Sequence, residues 1–153
     1  MTREEKFMTK ALECAKKAQE IGEVPIGAVI VKDERIIATG YNLREKRNSP
    51  SAHAEIIAIE KACKKLKDWR LDGCEIYVTL EPCPMCAGAI LNARISRVVY
   101  ALADEKMGAV GSAFNLFSMQ LGDNTKIKSG VLKDKANEIL TTFFRDIRKN
   151  KEK

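Results

Sequence analysis

The chain has 153 residues, is 45% hydrophobic and 31% charged, and carries 27 Lys+Arg against 21 Asp+Glu, a formal net charge of +6. That length and composition predict one domain over residues 1–153 with enough apolar material to bury a core, and they exclude a disordered chain. Apolar runs such as Val24–Val31 fall far short of the roughly 20 residues a membrane helix needs, and the start Met1-Thr2-Arg3-Glu4-Glu5-Lys6 has no apolar leader segment, so a cytoplasmic protein without membrane contact is expected.

Thr2 and Glu5 form a capping-box pattern, and Phe7, Met8, Ala11, Leu12, Ala15 and Ala18 recur at helical spacing, which predicts a first helix ended by Gly22. Ile26–Val31 is an apolar, β-branched run. With Asp33-Glu34 as a turn and Ile36 and Ile37 in the returning strand, it predicts a hairpin. A second helix follows Ser49-Pro50-Ser51, with Ile56, Ile59, Cys63 and Leu66 as its expected buried face. Cys74–Leu80 is a third strand, and Pro84 suits the first turn of a third helix with Ala87, Ile90 and Leu91 inward. Arg97–Tyr100 is a fourth strand. The stretch from Ala103 to Asn124 reads as loops around a short helix at Leu116–Leu121, and Thr125–Ser129 as a fifth strand. The last helix runs from about Lys133 to Lys149, with Ala136, Ile139, Leu140, Phe143, Phe144 and Ile147 as its apolar stripe. Helices alternating with strands after an opening hairpin predict a three-layer α/β/α domain on a mixed sheet of about five strands, with sites at the strand-to-helix junctions.

The positive excess is local. Glu60–Arg70 and Arg145–Lys153 each hold five basic and two acidic residues, and together they account for the whole net charge. They are either solvated helix faces or a surface for a polyanion, of which nucleic acid is the first candidate. Five cysteines, an odd number, argue against a disulfide framework. Cys14, Cys63 and Cys74 are expected to pack as small hydrophobes.

Two clusters fall at predicted helix starts: His53-Ala54-Glu55, with the only histidine, and Pro82-Cys83-Pro84-Met85-Cys86. On one helical turn the two sulfurs point the same way. Cys-x-x-Cys alone leaves redox chemistry, structural zinc and no special role open. One imidazole and two thiolates fill three of zinc's four tetrahedral positions, the donor set of a catalytic site with one position left for water. Zinc lowers the pKa of such a water to about 7. A glutamate two residues after the histidine cannot comfortably share the metal, but it reaches that water and is a candidate general acid/base. Helix N-termini favour the thiolates.

The pairing of His53-x-Glu55 with Pro82-Cys83-x-x-Cys86 resembles the known signature of zinc nucleobase deaminases. Over almost its whole length the chain also resembles the bacterial tRNA-specific adenosine deaminases of the cytidine deaminase superfamily. That likeness rests on Gly22–Val29, Ala52–Glu55, Trp69-Arg70-Leu71, Leu80–Ala89, Ser96–Tyr100, Gly108–Ser112 and the ending Phe143-Phe144-Arg145 with its basic tail. The resemblance implies a cytidine-deaminase-like fold, one zinc per subunit on His53, Cys83 and Cys86, and Glu55 as proton shuttle. It implies hydrolysis at C6 of the wobble adenosine in a tRNA anticodon loop, giving inosine and ammonia. Asn42 and the Ala54 backbone would contact the base, and Asp104, Lys106, Phe144 and Arg145 would lie near the RNA. It further implies a homodimer, with a tRNA anticodon stem-loop as partner and no organic cofactor. One departure stands out: where family members often carry an Asn-His pair, this chain reads Leu121-Gly122-Asp123-Asn124. The competing readings are a guanine or cytidine deaminase acting on small molecules, and a zinc-stabilised RNA-binding module without activity.

Overall fold

The capping box forms as the sequence predicts: Thr2 Oγ1 accepts from Glu5 N, and the Glu5 carboxylate accepts from Thr2 N at 3.0 Å. Helix α1 (Arg3–Glu20) starts there. At its far end Glu23 N donates to Ala18 O and Gly22 N to Gln19 O, each at 3.0 Å, a Schellman closure with Gly22 at φ +80°. This computed structural model describes residues 1–118 and 124–151.

The hairpin pairs β1 (Gly27–Lys32) with β2 (Arg35–Tyr41), and Asp33 and Glu34 both take positive φ, as a two-residue type I′ turn requires. The register shifts between Ile30 and Val31, so Ile37 is the extra residue of a bulge. Helix α2 (Ala54–Leu66), β3 (Glu75–Leu80), α3 (Pro84–Asn92) and β4 (Arg97–Leu102) follow. After a 3₁₀ turn at Leu116–Ser118 come β5 (Lys126–Lys128) and α4 (Lys133–Lys151). The remainder of the short helix expected to reach Leu121, and the Leu121-Gly122-Asp123 stretch, lie outside the described residues.

The sheet order is β2-β1-β3-β4-β5, with β1 antiparallel to both neighbours and β3, β4 and β5 parallel. Alternate residues of each strand divide between two cores. Ala28, Ile30, Ile76, Val78, Val98 and Tyr100 pack beneath α2 and α3. Val29, Val31, Tyr77, Val99 and Ala101 pack beneath α1 and α4. The expected three layers on a mixed five-stranded sheet are therefore present.

Two helices bury narrower or different faces than their periodicity predicts. The buried face of α2 consists of Ala54, Glu55, Ile57, Ala58, Ile59 and Ala62, whereas Ile56, Cys63 and Leu66 are only partly covered. The cause is close packing on β2. A Cβ on Gly40 would stand 2.8 Å from Ala58 N and nearer still to Ala54 O, so only small side chains fit at the contact. The stripe on α4 is likewise narrower than expected, with Ala136, Leu140 and Phe143 buried and Phe144 exposed.

Candidate active site

Two helices begin side by side at the carboxyl end of the parallel strands. His53 is the N-cap of α2 and Cys83 the N-cap of α3, and neither side chain is spent on a capping hydrogen bond. Pro84 at N1 puts Cys86 one turn further, on the same side. His53 Nδ1 stands 3.8 Å from Cys83 Sγ and 3.4 Å from Cys86 Sγ, and the three ligand atoms lie within 4.8 Å of one another. Tetrahedral bonds of about 2.3 Å to sulfur and about 2.0 Å to nitrogen place such pairs roughly 3.5 Å apart, so the donor set and its spacing fit zinc.

The electrostatics suit a cation. The Cys83 thiol is lowered to about 4, first by the hydrogen bond with Cys86 and then by His53. The same Cys83–Cys86 bond, with burial, pushes Cys86 up. The bond to Cys83 raises His53. Two sulfurs and an imidazole thus share protons that a bound divalent ion would replace.

Glu55, two residues into α2, is 4% exposed. Burial pushes its carboxyl up to about 7. It lines a recess of about 90 Å³ with Val24, Ile26, Asn42, Arg44, His53 and Ala54. Asn42 Nδ2 donates to Val24 O at 3.3 Å, and Asn42 Oδ1 accepts from Arg44 N at 3.1 Å. One amide hydrogen and one lone pair of Asn42 remain for a ligand. Two larger clefts, of about 440 and 400 Å³, contain none of these groups. Chemistry rather than size locates the site.

Two buried carboxylates that the sequence reading passed over fix the flanking loops. Glu23 accepts from Glu45 N and Lys46 N, both at 3.0 Å, and so holds the segment that carries Arg44. Glu81, the residue after β3, accepts from Asp104 N at 3.1 Å, Val110 N at 2.9 Å and Ser112 N at 3.1 Å, and from the Ser112 hydroxyl. Gly108 must lack a side chain, because a Cβ there would stand 2.5 Å from both Asp104 O and Glu81 Oε1. Nothing local in a sequence marks a glutamate as buried; the signal is the number of loop amides that converge on it in three dimensions. Glu81→Ala leaves three backbone N–H groups and a hydroxyl without their acceptor, at about 1–3 kcal/mol for each group that stays buried. The expected result is a melting temperature lower by roughly 10 °C and a weaker substrate affinity, checked by thermal unfolding and KM. An unchanged melt would remove Glu81 from this role.

The structure brings His53, Cys83, Cys86, Glu55, Ala54 and Asn42 together at one recess. Asp104 and Lys106 lie on the loop anchored by Glu81, where Asp104 Oδ1 accepts from Lys106 N and closes a turn. Phe144 and Arg145 are exposed on α4, in the layer on the other side of the sheet from α2 and α3. Cys14 and Cys74 are buried, Cys63 is half-buried, and all are free thiols.

The MafB19-like deaminase family matches residues 2–148. The chain is 47% identical over 152 residues to the tRNA-specific adenosine deaminase of Bacillus subtilis (strain 168), covering 99% of this chain and 94% of that protein. A solved structure from studies of A-to-I editing by tRNA:A34 deaminases at the wobble position of transfer RNA superposes with a TM-score of 0.84 at 47% identity, covering 88% of this chain and 98% of that one. The guanine deaminase of Bacillus subtilis superposes with a TM-score of 0.64 at 44% identity, covering 74% and 73%.

Proposed function

The chain belongs to the tRNA-specific adenosine deaminases, and from that premise we propose that it converts the wobble adenosine of a tRNA anticodon loop to inosine by zinc-dependent hydrolysis. Its mixed sheet between two helical layers is the cytidine-deaminase-like α/β/α fold. The observation that carries the reading is the buried carboxylate of Glu55 beside the His53, Cys83 and Cys86 donor set, in a recess that also offers Asn42. A binding module has no use for that carboxylate.

His53, Cys83 and Cys86 would hold one zinc per subunit. When bound, zinc supplies a water that ionises near neutral pH, with a pKa of about 7. Glu55 takes a proton from the attacking water and delivers it to N1 of the adenine ring as C6 becomes tetrahedral. It then takes the proton of the hydroxyl added at C6 and passes it to the departing amine, so the C6–N bond breaks and adenosine plus water yields inosine plus ammonia. Burial of Glu55 favours the neutral carboxyl, which helps it take up the proton that it then hands on. Asn42 and the Ala54 backbone orient the base, and the walls formed by Val24 and Ile26 exclude bulk water. Asp104 and Lys106, on the loop anchored by Glu81, and Phe144 and Arg145, on α4, serve parts of the RNA beyond the base. A base in a loop is already unpaired, so turning it into the recess costs only a few kcal/mol. The enzyme works in the cytoplasm as a homodimer.

The test is inosine formation by the purified protein, with an anticodon stem-loop in one arm and free adenosine, cytidine and guanine in the other. Inosine from the stem-loop is expected. Turnover of guanine alone would move the protein to the activity named for the Bacillus subtilis guanine deaminase it also resembles.

A further inference from the structure

We propose that the far end of α2 is a second RNA-contact surface, where Trp69 and Arg70, flanked by Lys61, Lys64, Lys65 and Lys67, hold the backbone of the substrate away from the edited base. The proposal rests on the RNA-deaminase reading above and extends it to a surface that plays no part in the chemistry. Trp69 is 59% exposed, a large apolar ring kept in water. Its exposure is not looseness. The next residue but one, Leu71, is fully buried, and the Trp69 carbonyl accepts from Cys63 Sγ at 3.6 Å.

The arginine beside it is prearranged. Asp68 Oδ1 accepts from Arg70 N at 3.0 Å and from Arg70 Nε at 3.2 Å. The guanidinium carbon stands 5.4 Å from the Trp69 ring centroid. Asp68 uses only the Nε edge, so the terminal N–H groups remain to grip a phosphate oxygen. The indole offers a platform for stacking a base.

Among the described residues, Lys61, Lys64, Lys65 and Lys67 form no ion pair. On the α1 face, by contrast, Arg3 and Arg97 share Glu75, and Arg97 and Lys128 share Glu4; what sets the α2 lysines apart is that four lie within seven residues, beside an exposed tryptophan. Lys64 and Lys65 also complement the carboxyl end of the helix, but that effect gives no reason for an exposed tryptophan. Unpaired like charges beside a stacked Trp–Arg pair match a polyanion that carries bases. The 13 residues of α2 span about 20 Å, so this surface lies beyond the reach of a free base in the recess. It suits a polynucleotide.

Trp69 is the only tryptophan in the chain, so its emission reports on the surface directly. The experiment titrates the full-length protein with tRNA, and separately with a bare anticodon-loop oligonucleotide, following tryptophan emission, RNA anisotropy and inosine together. Expected are a saturable emission change with tRNA but not with the bare loop. The Lys64→Ala/Lys65→Ala variant should bind tRNA roughly tenfold more weakly, with a log–log salt slope shallower by about 2. Its kcat and its elution volume should not move. Binding seen by anisotropy without any change in emission would overturn the proposal, as would a variant that binds tRNA like wild type or elutes as a different oligomer. Emission quenching without inosine would leave the surface standing and sink the deaminase reading.

Discussion

Glu55→Gln is expected to lower kcat by about 10²–10⁴-fold while leaving metal content and melting temperature close to those of the wild type. The substitution is nearly isosteric, so the recess keeps its shape. The amide can still donate and accept hydrogen bonds, but it cannot take a proton from water and release it to the ring nitrogen. The native carboxyl is suited to this work because burial, opposed in part by its backbone hydrogen bond and by His53, pushes it up to about 7. The check is single-turnover inosine formation on a stem-loop substrate together with metal analysis. Retained turnover would end the proton-shuttle assignment. Loss of metal with loss of turnover would instead make Glu55 a support for the ligands.

His53→Ala is expected to remove the metal and, with it, all measurable activity. Two sulfurs from one helical turn cannot enclose a tetrahedral ion, and His53 supplies the one donor from α2, at 3.4 and 3.8 Å from the thiols of Cys86 and Cys83. The fold should persist, because His53 makes no capping hydrogen bond with its side chain and its backbone still begins α2. Ala58 and Ala62 remain buried in the core beneath it. The measurement is zinc per chain in purified variant protein, alongside a far-ultraviolet spectrum. A full complement of zinc in a folded variant would refute the ligand role. Chelation of the wild type should reproduce the inactive state, and added zinc should reverse it.

The two substitutions would separate the two roles proposed for one short segment. Residues 53 and 55 sit on the first turn of the same helix, yet one is half-buried toward the thiols and the other is buried toward the recess. Neighbouring residues on a helix point about 100° apart, so alternate positions serve different partners.

The loops answer to different residues. Glu23 and Glu81 touch neither thiols nor imidazole in the hydrogen-bond pattern, but they fix the backbone on either side of the recess. A carboxylate accepts several N–H donors at once, which an amide or hydroxyl cannot match. Both were invisible to periodicity. Glu23 follows the end of a helix and Glu81 the end of a strand, where an exposed acidic residue is the ordinary expectation.

Much was legible in the residues alone. The capping box at Thr2 and Glu5, the Asp33-Glu34 turn, Pro84 at the first turn of α3 and the β-branched strands are local choices, made by propensities and hydrogen bonds within a few residues. That His53, Cys83 and Cys86 come together was legible for a different reason: two thiols one helical turn apart with a lone imidazole are a metal donor set, and the resemblance to the zinc nucleobase deaminases pointed to Glu55 beside them. What only the tertiary structure decided is whatever depends on distance in space between segments far apart in the chain. It set the face that α2 buries, because the approach of Gly40 to Ala54 and Ala58 admits alanines where a periodicity argument favours isoleucine and leucine. It also turned two unremarkable glutamates into anchors for loops 22 to 31 residues away, and it left one tryptophan in water beside an arginine, because burial and convergence are properties of packed segments and not of any local pattern.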